Sequence, residues 1–218
     1  MPDPPLAHLL RRGRDLYTEN AIPGERVYGE ALIRDGDREF RAWDPFRSKL
    51  AAFLLNGGAP SLLDGVRKVL YLGASHGTTA SHLSDLLPEA EIFLIERSPV
   101  SFAPLLALAR RRTNLLPILA DAQLPERYAA DVGEVDLLYQ DVAQRGQARI
   151  FRENASACLA PRGVGLLLLK VRSVSQSRSA RSVLQEARGD LALDRLTIRE
   201  TIDLAPFSRD HLALRIDR

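Results

Sequence analysis

Apolar residues along this chain fall into short, nearly continuous blocks separated by longer amphipathic stretches. Residues 69–72, 92–95, 115–119, 135–140 and 164–170 form such blocks, the pattern of strands covered on both faces. Between them, residues 79–87, 100–112 and 147–159 carry helical periodicity, and this alternation predicts a parallel sheet built from βαβ units. A helix over 180–187 and two β-prone runs, 195–203 and 211–216, complete the pattern. Upstream, residues 26–43 read RVYGEALIRDGDREFRAW, two β-prone runs around Asp35-Gly36-Asp37. They predict a hairpin or small antiparallel appendage, too small to bury a core alone. Asp44-Pro45 closes it, and residues 46–55 predict a helix with Leu50, Phe53 and Leu54 on one side. The first 23 residues combine prolines with a stretch of helical character cut by Arg11-Arg12-Gly13-Arg14. The expected division is a 1–44 N-terminal segment and a 45–218 main unit.

The central block continues into a turn: residues 68–79 read KVLYLGASHGTT. Gly73 and Gly77 remove Cβ atoms where the backbone must turn and be closely approached, and the helix that follows offers free N–H groups there. The spacing G-x-x-x-G lacks the middle glycine of a dinucleotide fingerprint and has no phosphate-gripping G-K-[ST]. With Glu96 closing the next strand, where an acid accepts ribose hydroxyls in dinucleotide folds, the loop looks like the S-adenosylmethionine loop of class I methyltransferases. On the glycines alone, a doubly wound protein that merely turns tightly there fits equally well. In an open parallel sheet, ligands bind beyond the carboxyl ends of the strands. Those ends supply Gly73, Glu96, Asp121, Asp141 and Lys170.

Composition narrows the class. With 218 residues and 45% apolar side chains, one α/β unit with a modest extension is expected. No apolar run approaches membrane-spanning length, and no charged leader precedes one, so a soluble cytoplasmic protein is expected. The single cysteine, Cys158, rules out an internal disulfide or a cysteine-built zinc site and reads as helix packing. Net charge is +2, a mild basic bias that permits RNA contact without making an autonomous RNA binder. Of the 30 basic residues only Lys49, Lys68 and Lys170 are lysines, leaving 27 arginines. In such a chain a lysine calls for a reason, because an amine can give up its proton where a guanidinium cannot.

Three further strings, WDPFRSKLAA from Trp43, PILADAQLPERY from Pro117 and DLLYQDVAQRGQA from Asp136, join VLYLGASHGTT and LLLKVRS. Together they resemble fibrillarin, the RNA ribose 2′-O-methyltransferase of box C/D ribonucleoprotein particles, in its archaeal form without a Gly/Arg-rich tail. The resemblance implies a Rossmann-like class I fold, mostly parallel with helices on both faces, and a small β-rich extension. It implies S-adenosylmethionine across Gly73, Ala74, Gly77, Thr78 and Thr79, with Glu96 on its ribose, Asp121 and Ala122 at the adenine, and Asp141 and Gln144 near its methionine end. The family's catalytic set falls on Lys49, Asp141, Lys170 and His211. In this assignment Lys170 takes or loosens the 2′-hydroxyl proton, partial burial and the Lys49 charge favouring a neutral amine; Asp141 orients the ammonium groups. His211 supports the ribose or lysine, or equally caps the last strand. Specificity would come from a guide RNA held by a Nop5-type (Nop56/58-type) scaffold and an L7Ae-type RNA binder, acting on a ribosomal or transfer RNA target.

Two departures stand out. His76 occupies a loop position where the family has a small serine, and Ser175 stands where an acid is common. A methyltransferase of the same fold acting on a small molecule or protein remains open, as does a structural subunit in which His76 has cost donor binding. His82 reads as packing or surface. Arg110, Arg111 and Arg112 read as cations favoured by a helix C-terminus, whereas Arg172, Arg178 and Arg181, in a Ser-rich stretch expected to be mobile, are candidates for RNA phosphates.

Overall fold

A computed structural model describes residues 7–171 and 179–218. The first four strands, β1 (Leu9–Arg12), β2 (Asp15–Glu19), β3 (Leu32–Asp35) and β4 (Arg38–Ala42), form an antiparallel sheet in the order β1-β2-β4-β3. The hairpin at Asp35-Gly36-Asp37 is present as expected. The helical character expected before it is not: Gly13, at φ +61°, turns the chain, and β1 pairs with β2 from Leu9↔Thr18 to Arg12↔Asp15.

The helix α1 (Lys49–Leu55) starts later than the periodicity predicts. The Asp44 carboxylate accepts the Phe46 N–H at 2.8 Å and holds a turn, and Ser48 then caps the helix through the Ala51 N–H. The chain continues as β5 (Lys68–Leu72), α2 (Thr78–Leu86), β6 (Glu91–Glu96), α3 (Pro99–Ala109), β7 (Leu115–Leu119), a short α4 (Ala129–Val132), β8 (Val135–Gln140), α5 (Gln147–Cys158) and β9 (Leu159–Lys170). It ends with α6 (Ala180–Ala192), β10 (Thr197–Asp203) and β11 (His211–Asp217). These seven strands form one sheet in the order β10-β11-β9-β8-β5-β6-β7. Strands β5 to β9 run parallel, and β11 lies antiparallel between β9 and β10. The strand order reverses beside β5, between β6 and β8, which makes their carboxyl ends the expected crevice.

Burial explains the unbroken apolar run of β5. Val69 and Tyr71 enter a core shared with α1, α2 and α3, whereas Leu70 and Leu72 enter a second core shared with α4, α5 and α6. Cys158 is packed at the end of α5, as expected. The antiparallel sheet adds Leu16 and joins Trp43 to the first core. A buried polar cluster seats it on α2. Thr18 Oγ1 lies 2.7 Å from His82 Nδ1 and donates to Asp85 at 2.8 Å; Arg41 faces Glu30 at 2.9 Å and Asp85 at 3.5 Å. The Trp43 ring stacks on His82. Among the described residues no helix is long and apolar enough to cross a membrane.

Candidate active site

At the end of β5 the chain turns through Gly73 at φ +84°, where a Cβ would lie 2.4 Å from the Asp141 carbonyl oxygen. The close approach that glycine permits is therefore made by the end of β8. Gly73 also donates its N–H to the Ile95 carbonyl at 2.8 Å, drawing the ends of β5, β6 and β8 together. Gly77, at φ +90°, precedes α2 without a side-chain cap. A Cβ there would sit 2.6 Å from a Leu108 methyl of α3, so the backbone conformation favours glycine and a larger residue would also have to displace that side chain. Between the two, the Ser75 N–H reaches Glu96 Oε2 at 2.9 Å, and the other carboxylate oxygen accepts the Ser98 N–H at 2.7 Å. Glu96 is thus fixed at the end of β6, each oxygen keeping a lone pair beyond those bonds.

A cleft of about 1260 Å³ opens over these strand ends. It gathers Lys49, Gly73, Ala74, Thr78, Thr79, Glu96, Ala122, Asp141, Gln144, Lys170 and His211 on its walls. Two predicted residues, Gly77 and Asp121, are not among the residues that line it. Asp121 acts through its partners: its Oδ1 accepts from Gln144 at 2.7 Å and from the Gln123 N–H at 3.0 Å. Burial raises the Asp121 carboxyl, but these bonds and the Arg97 charge outweigh it and leave it below the ordinary carboxylate range. Thr79 spends its hydroxyl on Ser48 Oγ at 3.0 Å, tying α2 to the cap of α1.

The other end of the cleft holds the charged group. Lys49, first residue of α1, donates to both oxygens of Asp141 at 2.8 and 2.7 Å. Lys170 ends β9 and pairs in register with His211, first residue of β11. The antiparallel return of β11 therefore delivers the imidazole beside the amine. His211 Nδ1 lies 3.0 Å from the Arg209 carbonyl, an acceptor only, so this nitrogen carries the proton. Burial lowers the His211 pKa below 6.5, the Lys49 and Lys170 charges adding to this and the Arg209 carbonyl and Asp141 opposing it. The site thus offers a fixed ammonium–carboxylate pair, a second amine and a neutral imidazole around one space.

The fibrillarin family model matches residues 7–217. The chain belongs to the fibrillarin family. It is 44% identical over 203 residues to the fibrillarin-like rRNA/tRNA 2′-O-methyltransferase of Methanothermobacter thermautotrophicus, covering 93% of this chain and 91% of that one. Among solved structures it is similar to Aeropyrum pernix fibrillarin with natively bound S-adenosyl-L-methionine, at TM-score 0.85 and 41% identity over 93% of this chain and 88% of that one. It is also similar to a chain of a fibrillarin/Nop5p complex, at TM-score 0.86 and 36% identity over 97% of each. The sheet order and the helices on both faces are those of the class I methyltransferase fold.

Within this fibrillarin fold, the structure decides some of the open readings and corrects others. His76 is exposed on the cleft rim, its Nδ1 3.1 Å from Ser75 Oγ. His82 is fully buried, the packing alternative. Arg112 is not a solvated helix-end cation: it is 3% exposed and donates to Asp85 at 2.6 Å, while Arg111 pairs with Glu25. Arg181 lies exposed in the first turn of α6 and is not among the residues that line the cleft. Arg172, Ser175, Arg178 and most of the Ser-rich stretch lie outside the described residues. Sequence reasoning missed Gln147. Its side chain donates to the Val142 carbonyl at 2.6 Å and accepts the Lys170 N–H at 3.0 Å, joining the ends of β8 and β9 beneath the charged group. Its one signal was a glutamine opening a helix straight after glycine.

Proposed function

We propose that this chain is the catalytic subunit of a box C/D guide particle and methylates ribose 2′-oxygens of ribosomal RNA, and of transfer RNA. The carrying observation is the convergence of Lys49, Asp141, Lys170 and His211 on the cleft that also contains the glycine turn and Glu96. Two carboxylates at successive strand ends, the uncapped start of α2 and a cleft of this size suit S-adenosylmethionine, which would be held by Gly73, Ala74, Gly77, Thr78, Thr79, Glu96, Asp121, Ala122, Asp141 and Gln144. When bound, it supplies an electrophilic methyl group on a sulfonium.

The residues then divide the work. A ribose hydroxyl is a weak acid and a poor nucleophile, so it needs in-line placement and a proton acceptor. Lys49 is committed to both oxygens of Asp141, so the acceptor role falls to Lys170 in this reading, with the neutral imidazole of His211 as the alternative acceptor in the same cleft. The Lys49–Asp141 pair fixes the floor against which the ribose is oriented. Neutral His211, its Nδ1 proton held by a carbonyl, has Nε2 as a hydrogen-bond acceptor for a ribose hydroxyl or the Lys170 ammonium. The weak basic excess of +2 fits a subunit whose RNA is brought by a Nop5-type scaffold, an L7Ae-type RNA binder and a guide RNA in the cytoplasm. In this reading residues 1–44 form an appendage and residues 45–218 the methyltransferase unit.

The test is direct. Calorimetry should show S-adenosylmethionine binding to the purified chain. Labelled methyl transfer by the assembled particle, followed by nuclease digestion of the target, should yield a 2′-O-methyl nucleoside. Absence of detectable donor binding at high protein concentration would leave a structural subunit instead.

A further inference from the structure

Beside the Lys49 and His211 end of the cleft, a second recess of about 670 Å³ opens between the N-terminal sheet and the loop before β11. Arg47 lines both spaces, so they adjoin. Phe46 stands on the recess with its side chain in solvent at 69% exposure, and among the described residues no other Phe, Tyr or Trp is exposed. Its ring meets Phe207 edge to face, centroids 5.2 Å apart. The Arg47 guanidinium lies 5.5 Å from the centre of the Tyr28 ring. Phe46 precedes Lys49 by three positions and Phe207 precedes His211 by four, so the segments carrying the amine and the imidazole touch through this aromatic pair.

The fold does not require a ring here. Asp44 and Ser48 already hold the turn and the start of α1 through backbone N–H groups, and an exposed Phe gains little from burial. A nucleobase gives it a use, because every base has a π-face that stacks on aromatic rings and guanidinium planes. A polymer whose ribose enters the cleft must carry its next nucleotide out past the rim, and the recess reached through Arg47 is continuous with that path.

Resting on the RNA methyltransferase reading, we propose that Phe46, backed by Phe207 and flanked by Arg47, is a stacking platform for a base of the target strand next to the nucleotide being methylated. On the same recess Asp15 and Asp44 offset the charges of Arg14 and Arg47, so no net positive field draws a phosphate there and the aromatic face of a base is the favoured contact. A polypeptide segment is the competing occupant, and it has no link to the cleft through Arg47 to recommend it.

The test uses the full chain assembled with its scaffold, RNA-binding partner and guide, with target RNA carrying 4-thiouridine on either side of the target nucleotide. The wild-type particle should crosslink from one of these positions to the segment containing Phe46 or Phe207. Phe46→Ala should raise the KM for target RNA roughly tenfold, the loss expected for one stacked base, with kcat, donor affinity and melting temperature near wild type. Phe46→Trp should restore the KM. An unchanged KM in Phe46→Ala, or crosslinks only elsewhere, overturns the platform. Loss of scaffold binding with an unchanged KM overturns it in favour of a protein-docking surface. A wild-type particle that methylates no RNA removes the broader reading and the platform together, and is seen before any variant is made.

Discussion

Lys170 and Lys49 differ in one respect on which the roles proposed for them rest: Lys49 is held by both oxygens of Asp141, whereas Lys170 is placed through its backbone, by Gln147 and by its register with His211. Lys170→Arg keeps a positive charge but removes a group able to accept a proton. Donor binding and assembly should survive while the methyl-transfer rate falls roughly a hundredfold or more; a near-normal single-turnover rate would reduce Lys170 to a positioning charge. Gly73→Ala makes a second residue-scale prediction. The added Cβ meets the Asp141 carbonyl at a φ that L residues rarely adopt, so stability should fall by roughly 1–3 kcal/mol or more and donor affinity with it. Wild-type denaturant stability in that variant would mean the turn relaxes without moving β8. The charged residues were reached in sequence through the family resemblance, with two lysines of an arginine-rich chain falling on its catalytic positions. Gln147 was not, since its partners are backbone groups of β8 and β9 that exist as a pair only after the sheet forms. Gly77 was legible as a turn but not as a packing position, because Leu108 lies a whole helix away in the chain.

Elements follow the apolar blocks closely where both faces are buried, as in β5, β6 and β8, and less well at the N-terminus. There Leu9 to Arg12 carry two arginines, and the strand forms because β2 pairs with it and with β4. What fastens that sheet to α2 is a polar cluster that no hydrophobic pattern announces. Within it Thr18 gives its only proton to Asp85, so His82 Nδ1 donates to Thr18, while Tyr28 gives its proton to the Ala42 carbonyl and Nε2 faces the Tyr28 oxygen at 2.7 Å and the Arg41 guanidinium at 3.4 Å. Burial, then the Arg41 and Arg112 charges, hold the His82 pKa well below 6.5, while Thr18, Tyr28 and the ring of Trp43 present no charge to it. The sign follows: the folded chain keeps this imidazole neutral, and the unfolded chain takes up a proton as pH falls below about 6.5. The His82 contribution to stability should therefore be constant above neutrality and decline on acidification from about pH 6.5. Denaturant melts across pH 5–8, wild type against His82→Gln, would show it as a steeper acid slope in the wild type. Equal slopes would place the acid sensitivity elsewhere.

Over the whole molecule, the alternation of strands and helices was enough to predict a parallel sheet and to direct attention to its carboxyl ends, because each βαβ unit is local in sequence. The antiparallel insertion of β11 between β9 and β10 was not predicted, and it is the step that brings His211 beside Lys170. The modest charge of +2 gives little counterion release on RNA, so the isolated chain should bind the donor yet methylate RNA poorly. On the proposed function, specificity then belongs to the assembly. The measurement that reaches the central claim is labelled methyl transfer by the reconstituted particle with two guides directed at different nucleotides of one target RNA. Label should appear on the ribose each guide specifies, move when the guide is exchanged, and vanish when guide or scaffold is withheld. Efficient transfer to RNA by the chain alone, or to a protein or small molecule without RNA, would contradict it.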